Sequence, residues 1–191
     1  MALPPYYKKE VIKIPDEVGL VISLLNDDLL NHRLSHLVPH DQVIREHPNS
    51  WVQFPAIYVR KIANTSLVTE SSLGEDYDTG EEVLGSVWSA DIALDIVAHV
   101  NTEFNYPPIE LVGDLEEYRY KHAKNCLPVL QWIVNSVLHE NRHYTDPSGS
   151  TLQFDTAEMV GYNLIDGGYS GVRDVWALQV VYRMQFEMEG R

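Results

Sequence analysis

Within the stretch LHENRHY, residues 138–144, His139, Glu140 and His143 form the spacing His-Glu-x-x-His. On a helix, two histidines four apart share one face and can hold a zinc ion. The glutamate between them can then act as general base toward a metal-bound water. The chemistry implied is zinc-dependent hydrolysis, with His139 and His143 as ligands and Glu140 as base. A third ligand would be needed. Asp155 and Glu158 follow in the chain, but both fall in predicted strand or loop, whereas the thermolysin-like pattern takes this acid from a following helix.

The surroundings weigh against that chemistry. At about 100° per residue, Leu130, Ile133, Val134 and Val137 gather on one side of the predicted helix, and His139 and His143 fall nearly opposite, near Trp132 and Asn135. A catalytic zinc helix must instead turn both imidazoles into a shaped, partly dry cleft. Arg142 sets a positive charge between the would-be ligands. Thr145-Asp146-Pro147-Ser148-Gly149 is a strong stop signal, so the helix is predicted to end one or two residues past His143. The expectation is therefore a chain that is not an enzyme and has no cofactor and no metal site. The zinc hydrolase is the alternative.

Other chemistry-bearing residues are weaker candidates. His32, His36 and His40 recur every four residues, but Pro39 ends their helix and Arg33 stands beside the first. Asp76-Tyr77-Asp78-Thr79-Gly80 resembles a calcium loop only faintly, lacking the EF-hand spacing and its closing glutamate. Cys126 reads as a small buried hydrophobe. The chain has no G-x-S-x-G, P-loop or G-x-G-x-x-G motif.

The elements that must position these residues alternate between helix and strand. Asp16 is an N-cap signal for a helix over 16–37, with Val18, Val21, Ile22, Leu25 and Leu29 at helical spacing. Residues 39–55 are expected to be loop. PAIYVRKI, 55–62, reads as a strand. ESSLGEDYDTGEE, 70–82, carries Glu70, Glu75, Asp76, Asp78, Glu81 and Glu82 without a Lys or Arg, and is expected to be the solvated tip of a long hairpin. From Trp88 to Val100 one parity is wholly apolar and the other mixed, the pattern of a half-buried antiparallel strand. Asp114 and Glu117 signal a helix start near 115. Pro128 is expected to kink that helix, or to restart it from the first turn of a second one. TLQF (151–154) and MVGYNLI (159–165) read as two short strands, and alternation returns from Trp176 to Met188. The sum is an α+β fold: an antiparallel or mixed sheet of long strands, with helices packed on one face and a long acidic hairpin loop.

The totals bound the rest. At 191 residues and 45% hydrophobic, one domain over 1–191 with a sizeable core is expected. One cysteine excludes an internal disulfide. The N-terminus does not read as a signal peptide, and no stretch has the length of a membrane span, so no membrane partner is expected. A net charge of −14 disfavours tight binding to a nucleic-acid backbone.

The order of these parts resembles the tail-terminator and tail-completion (neck) proteins of long-tailed bacteriophages. The parts are DEVGLVISLLNDDLLNHRL, FPAIYVRKI, the acid-rich loop, GSVWSADIALDIVAHV, LPVLQWIVNSVL and YSGVRDVWALQVVYRMQFEM. Relative to smaller members of that family, this chain carries extra material near 39–55 and 101–125. The resemblance implies a structural virion protein, assembled in the host cytoplasm. It would form a homohexameric ring at the head-proximal end of the tail tube, end tube growth, and join the tail to a head connector. Its partners would be copies of itself, the tail tube protein and the connector or another neck protein. DNA would pass through the lumen without specific binding, eased by acidic walls that repel phosphate. Candidate contact residues are Glu75, Asp76, Asp78, Glu81 and Glu82 of the hairpin, and Trp132 on the polar side of its helix.

Overall fold

Helix α1, Glu17–Asn26, begins where the sequence places it: the Asp16 carboxylate accepts a hydrogen bond from the Gly19 amide at 2.9 Å. This computed structural model describes residues 15–27, 34–45, 53–65, 69–75, 80, 82–103, 122–145, 151–166, 168–169 and 173–189. Val18, Leu20, Val21, Leu24 and Leu25 form the buried face of α1, each side chain contributing about 1.5–3 kcal/mol of burial. The predicted helix over 16–37 does not run on unbroken, because Asp27 is already extended. Asn26 and Asp27 are residues whose side chains compete for the backbone and so favour helix ends. Leu29 and His32 lie outside the described residues.

The stretch 39–55, expected to be loop, holds a 3-10 turn at His40–Gln42 and a strand, β1 (Val43–Arg45). Three residues are too few to show an alternation in sequence. β1 pairs in parallel with β2, Ala56–Asn64. Three further strands are β3 (Thr69–Glu75), β4 (Glu82–His99) and β5 (Tyr144–Thr145). The last two are β6 (Leu152–Ile165) and β7 (Val175–Glu189). The sheet order is β1-β2-β4-β7-β6-β5, with β3 also on β4, and every pair but β1–β2 is antiparallel. The fold is α+β with a mixed sheet.

The hairpin expectation changes in part. Residues 69–75 are strand rather than loop, and they pair with β4 up to Glu75 opposite Glu82. Asp76, Asp78 and Glu81 lie outside the described residues, and Gly80 has a φ of +68°.

Helix α2, Ala123–Glu140, carries Pro128 inside it. This corrects the expected restart: Pro128 lies in the interior of one helix, not in the first turn of a second. It removes one bond, the one an amide there would give to the Lys124 carbonyl. Burial of Cys126, Leu127, Leu130, Ile133, Val134, Val137 and Leu138 outweighs the loss. The expected start at Asp114 lies outside the described residues; the described helix is capped by His122, whose Nδ1 accepts from the Lys124 amide at 3.1 Å.

Both helices pack on one face of the sheet, against Ile57, Val59, Trp88, Ile92, Leu94, Ile96, Val180, Tyr182, Met184 and Phe186 among others. Phe186 lies between Trp88, 6.1 Å away between ring centroids, and Phe154, at 6.3 Å. The opposite face carries a smaller cluster of Ala56, Tyr58, Val97, Tyr169, Val175 and Ala177. Strand β4 is therefore buried on both faces at Ala93, Asp95 and Val97, not half-buried throughout.

β6 is the other departure. The two expected short strands are one strand of 14 residues. Its register on β7 slips between Phe154 and Thr156 and between Met159 and Gly161. Each slip adds one residue, Asp155 or Val160, and reverses the alternation. That reversal makes a single strand read as two.

Candidate functional site

The His-Glu-x-x-His spacing does not fall on one helix. α2 ends at Glu140, capped by Asn141, whose side chain and backbone amide both donate to the Val137 carbonyl. His143 lies beyond the helix with a φ of +63°. The helix thus stops three residues before His143, not after it, and the four-residue spacing loses its helical meaning. The helix ends because Asn141 leaves the helical conformation, at φ −112° and ψ 50°, and Asn side chains compete for the backbone and favour helix ends.

His139 and Glu140 are exposed at the helix end. His143 Nδ1 lies 2.9 Å from Gln153 Nε2 and 3.5 Å from Asp155 Oδ1, which ties the turn after α2 to β6. An open cleft of about 490 Å3 beside it is lined by His143, Gln153, Glu187 and Glu189 together with Leu73, Thr145 and Thr151, and His139 is not part of it. Among the described residues, no group of three or more His, Cys, Asp or Glu side chains is placed to hold a metal ion. Cys126 is buried, with Sγ 3.5 Å from the Thr102 carbonyl oxygen. His36 is exposed.

Buried polar groups bind elements together. Glu17 Oε1 accepts from Lys61 Nζ at 2.6 Å and from Trp88 Nε1 at 3.0 Å. On the other face, Tyr169 donates to Asp95 Oδ2 at 2.5 Å, and Arg60 Nε lies 3.4 Å from the same oxygen. Burial, with the Asp95 hydrogen bond and charge, pushes the Tyr169 phenol far above its usual value. Neither cluster was expected from the sequence. The available signal was an acid, Asp95, at the centre of the strongest strand.

The exposed apolar residues form the more telling pattern. On the helix-facing side of β6, Leu152, Phe154 and Ala157 are buried, whereas Met159, Tyr162 and Leu164 are 44%, 71% and 45% exposed. Their partners on β7, Tyr182, Val180 and Leu178, are all buried. The helical layer therefore stops over the middle of β6 and leaves an apolar strip at the sheet edge. Trp132 is 50% exposed on α2, and its neighbour Gln131 reaches Met159 Sδ at 3.2 Å.

That same half of β6 is an edge. β5 covers it only at Gln153 and Phe154, and no described strand pairs beyond that point. The sequence identifies MVGYNLI as strand but not as exposed edge, because the Val160 bulge hides which parity faces the helices. Of the expected contact residues, Trp132 and Glu82 are exposed; nothing is described of the Glu75 side chain, and Asp76, Asp78 and Glu81 lie outside the described residues.

No family model matches the chain. No curated protein matches it. Among solved structures, it is similar to a chain in the virion of a native gene transfer agent particle. The two are 12% identical, and the match covers 91% of this chain and 95% of that chain at a TM-score of 0.36. A likeness at that score carries no argument about fold or function. No helix among the described residues is long and apolar enough to cross a membrane.

Proposed function

We propose that this chain is a structural virion protein rather than an enzyme. In this reading it forms a ring, usually of six copies in the proteins it resembles, at the head-proximal end of a phage tail tube. The ring ends tube growth, joins the tail to the head connector or another neck protein, and lets DNA pass. The observation that carries the reading is the exposed apolar strip of Met159, Tyr162 and Leu164 on a sheet edge that has no strand partner among the described residues. Exposed apolar patches and unpaired edges are features that soluble monomers suppress and assembling proteins use. The order of elements supports it further: amphipathic α1, the Pro55-opened β2, the β3–β4 hairpin, long β4, α2 and the final long β7 follow the order of the proteins it resembles. The net charge of −14 suits a lumen through which DNA slides without sticking.

The test is the native mass across concentration, with and without magnesium, combined with electron microscopy of the chain alone and mixed with purified tail tubes. The expected result is a closed ring near six copies, in solution or seated on tube ends. A chain that stays monomeric in solution and ignores tube ends overturns the proposal.

A further inference from the structure

The open edge of β6 has a counterpart on the opposite side of the same sheet. β1 pairs with β2 only at Ile57, Tyr58 and Val59. From Arg60 to Asn64 the outer side of β2 has no strand partner among the described residues, and Ile62, the bulged residue there, is 51% exposed.

Between these edges the strands alternate. β2 is antiparallel to β4, β4 to β7, and β7 to β6. β2 and β6 therefore run in opposite directions. A second copy set beside the first with its strands in the same sense brings its β2 against β6 antiparallel, and the alternation continues without a break. An isologous pairing of two β6 edges, with one copy rotated by 180° in the plane of the sheet, is also antiparallel but leaves both β2 edges open.

Charge selects the same pairing. Two chains that each carry −14 repel over most of their surfaces. From Thr156 to Ile165 the only charged residue is Glu158, and from Arg60 to Asn64 the charged residues are Arg60 and Lys61. These edges can approach without like-charge repulsion, because the charges they carry are opposite in sign. Backbone hydrogen bonds would satisfy both edges, as in strand addition. With the second copy shifted along the strand so that its β1, on Ile57–Val59, clears the end of β6, its Arg60–Asn64 would lie beside 160–164 and flank Tyr162 and Leu164.

We infer that the β6 edge, Ala157–Leu164, is the docking site for the β2 edge, Arg60–Asn64, of a second copy of this chain. The inference rests on the ring reading and gives it a contact: a head-to-tail joint that uses two different surfaces, the type that generates rings.

The test uses the full chain and two single variants, Tyr162→Lys and Ile62→Lys. Both sites are exposed, and circular dichroism spectra and melting curves like those of wild type establish that each variant folds. Sedimentation is followed from low micromolar to near-millimolar concentration. Each variant is expected to associate at least about tenfold more weakly, the effect of removing a central interface residue. An equimolar mixture is expected to stop at one-to-one pairs, because only one competent β6 edge and one competent β2 edge remain. Amide exchange over 158–165 is expected to slow on association in wild type. Rings that persist in both variants overturn the edge pairing and leave the ring reading standing. Loss of association in Tyr162→Lys alone overturns it in favour of a β6–β6 joint or a different protein partner on that strip. A wild-type chain that stays monomeric throughout overturns it as well, and seating on tube ends then decides the ring reading separately.

Discussion

Glu17 and Trp88 meet across 71 residues of chain: the indole N–H donates to Glu17 Oε1 at 3.0 Å. The same oxygen takes Lys61 Nζ at 2.6 Å. One buried carboxylate thus fastens the first turn of α1 to β2 and β4. Glu17→Ala strands a buried indole donor and removes the carboxylate partner of the solvent-accessible Lys61 ammonium. The expected cost is about 2–3 kcal/mol, read as a lower urea midpoint at unchanged slope. A double-mutant cycle with Trp88→Phe should show non-additivity; additive losses would mean that the contact contributes nothing of its own.

Asp16 caps the same helix and pairs with Arg45. Burial alone would raise its carboxyl, but the hydrogen bond from Arg45, the Gly19 amide and the Arg45 charge offset this and hold it below its ordinary value. A carboxyl lowered in the folded state stabilises the fold above its unfolded value, and loses that contribution as pH falls through the folded one. Asn at this position keeps the cap and removes the charge. The stability gap between wild type and Asp16→Asn should therefore narrow from about pH 4 downward. Asp16→Ala should cost about 1 kcal/mol at neutral pH through the lost cap. A gap that stays constant with pH would remove the charge from the account.

These two residues also mark how far sequence reading reaches. Asp16 was legible because a cap is a local event: an acid, then a helical apolar run. The apolar parities of β4 and β7 were legible for the same reason, and with them the α+β class. Glu17 looked like an ordinary first-turn acid, since its partners lie 44 and 71 positions away. β6 reads as two strands because two bulges reverse its parity, and β1 reads as loop because three residues carry no period. The end of α2 was misplaced by a few residues. That difference puts His143 outside the helix that carries His139. The exposed strip on β6 depends on where the helical layer stops, a matter of tertiary packing that no window of sequence contains.

Tyr169 and Asp95 form the polar centre of the second face. Tyr169→Phe should cost about 1.5–3 kcal/mol, because the buried Asp95 carboxylate loses a donor. Three phenols are raised by burial: Tyr58 to about 12, and Tyr169 and Tyr182 further still. A raised folded value stabilises the fold below the unfolded value of about 10, and the contribution is lost as pH climbs beyond it. Stability should therefore fall from about pH 10 upward, more gently in Tyr169→Phe. Of the 11 tyrosines, those three should resist ionisation at about pH 11 in the native chain, as counted by ultraviolet absorbance. Ionisation of every tyrosine while the fold remains intact would contradict the burial of these hydroxyls.

The His-Glu-x-x-His spacing gives the last prediction. Asn141 closes α2 before His143, and His143 is engaged with Gln153 and Asp155 while His139 is exposed at the helix end. Two imidazoles set on different elements, with no third ligand gathered beside them among the described residues, should not retain zinc through dialysis. Added zinc should leave the melting temperature unchanged, where a site filled at 100 times its dissociation constant would add about 2.7 kcal/mol. His139→Ala should be neutral, and His143→Ala should shift stability by no more than about 0.5 kcal/mol, as exposed substitutions do. One zinc per chain, lost in both alanine variants, would reverse the assignment. Glu140→Gln would then become the decisive variant, because it should abolish hydrolysis if Glu140 is a base and leave assembly intact if it is only a solvated helix-end acid.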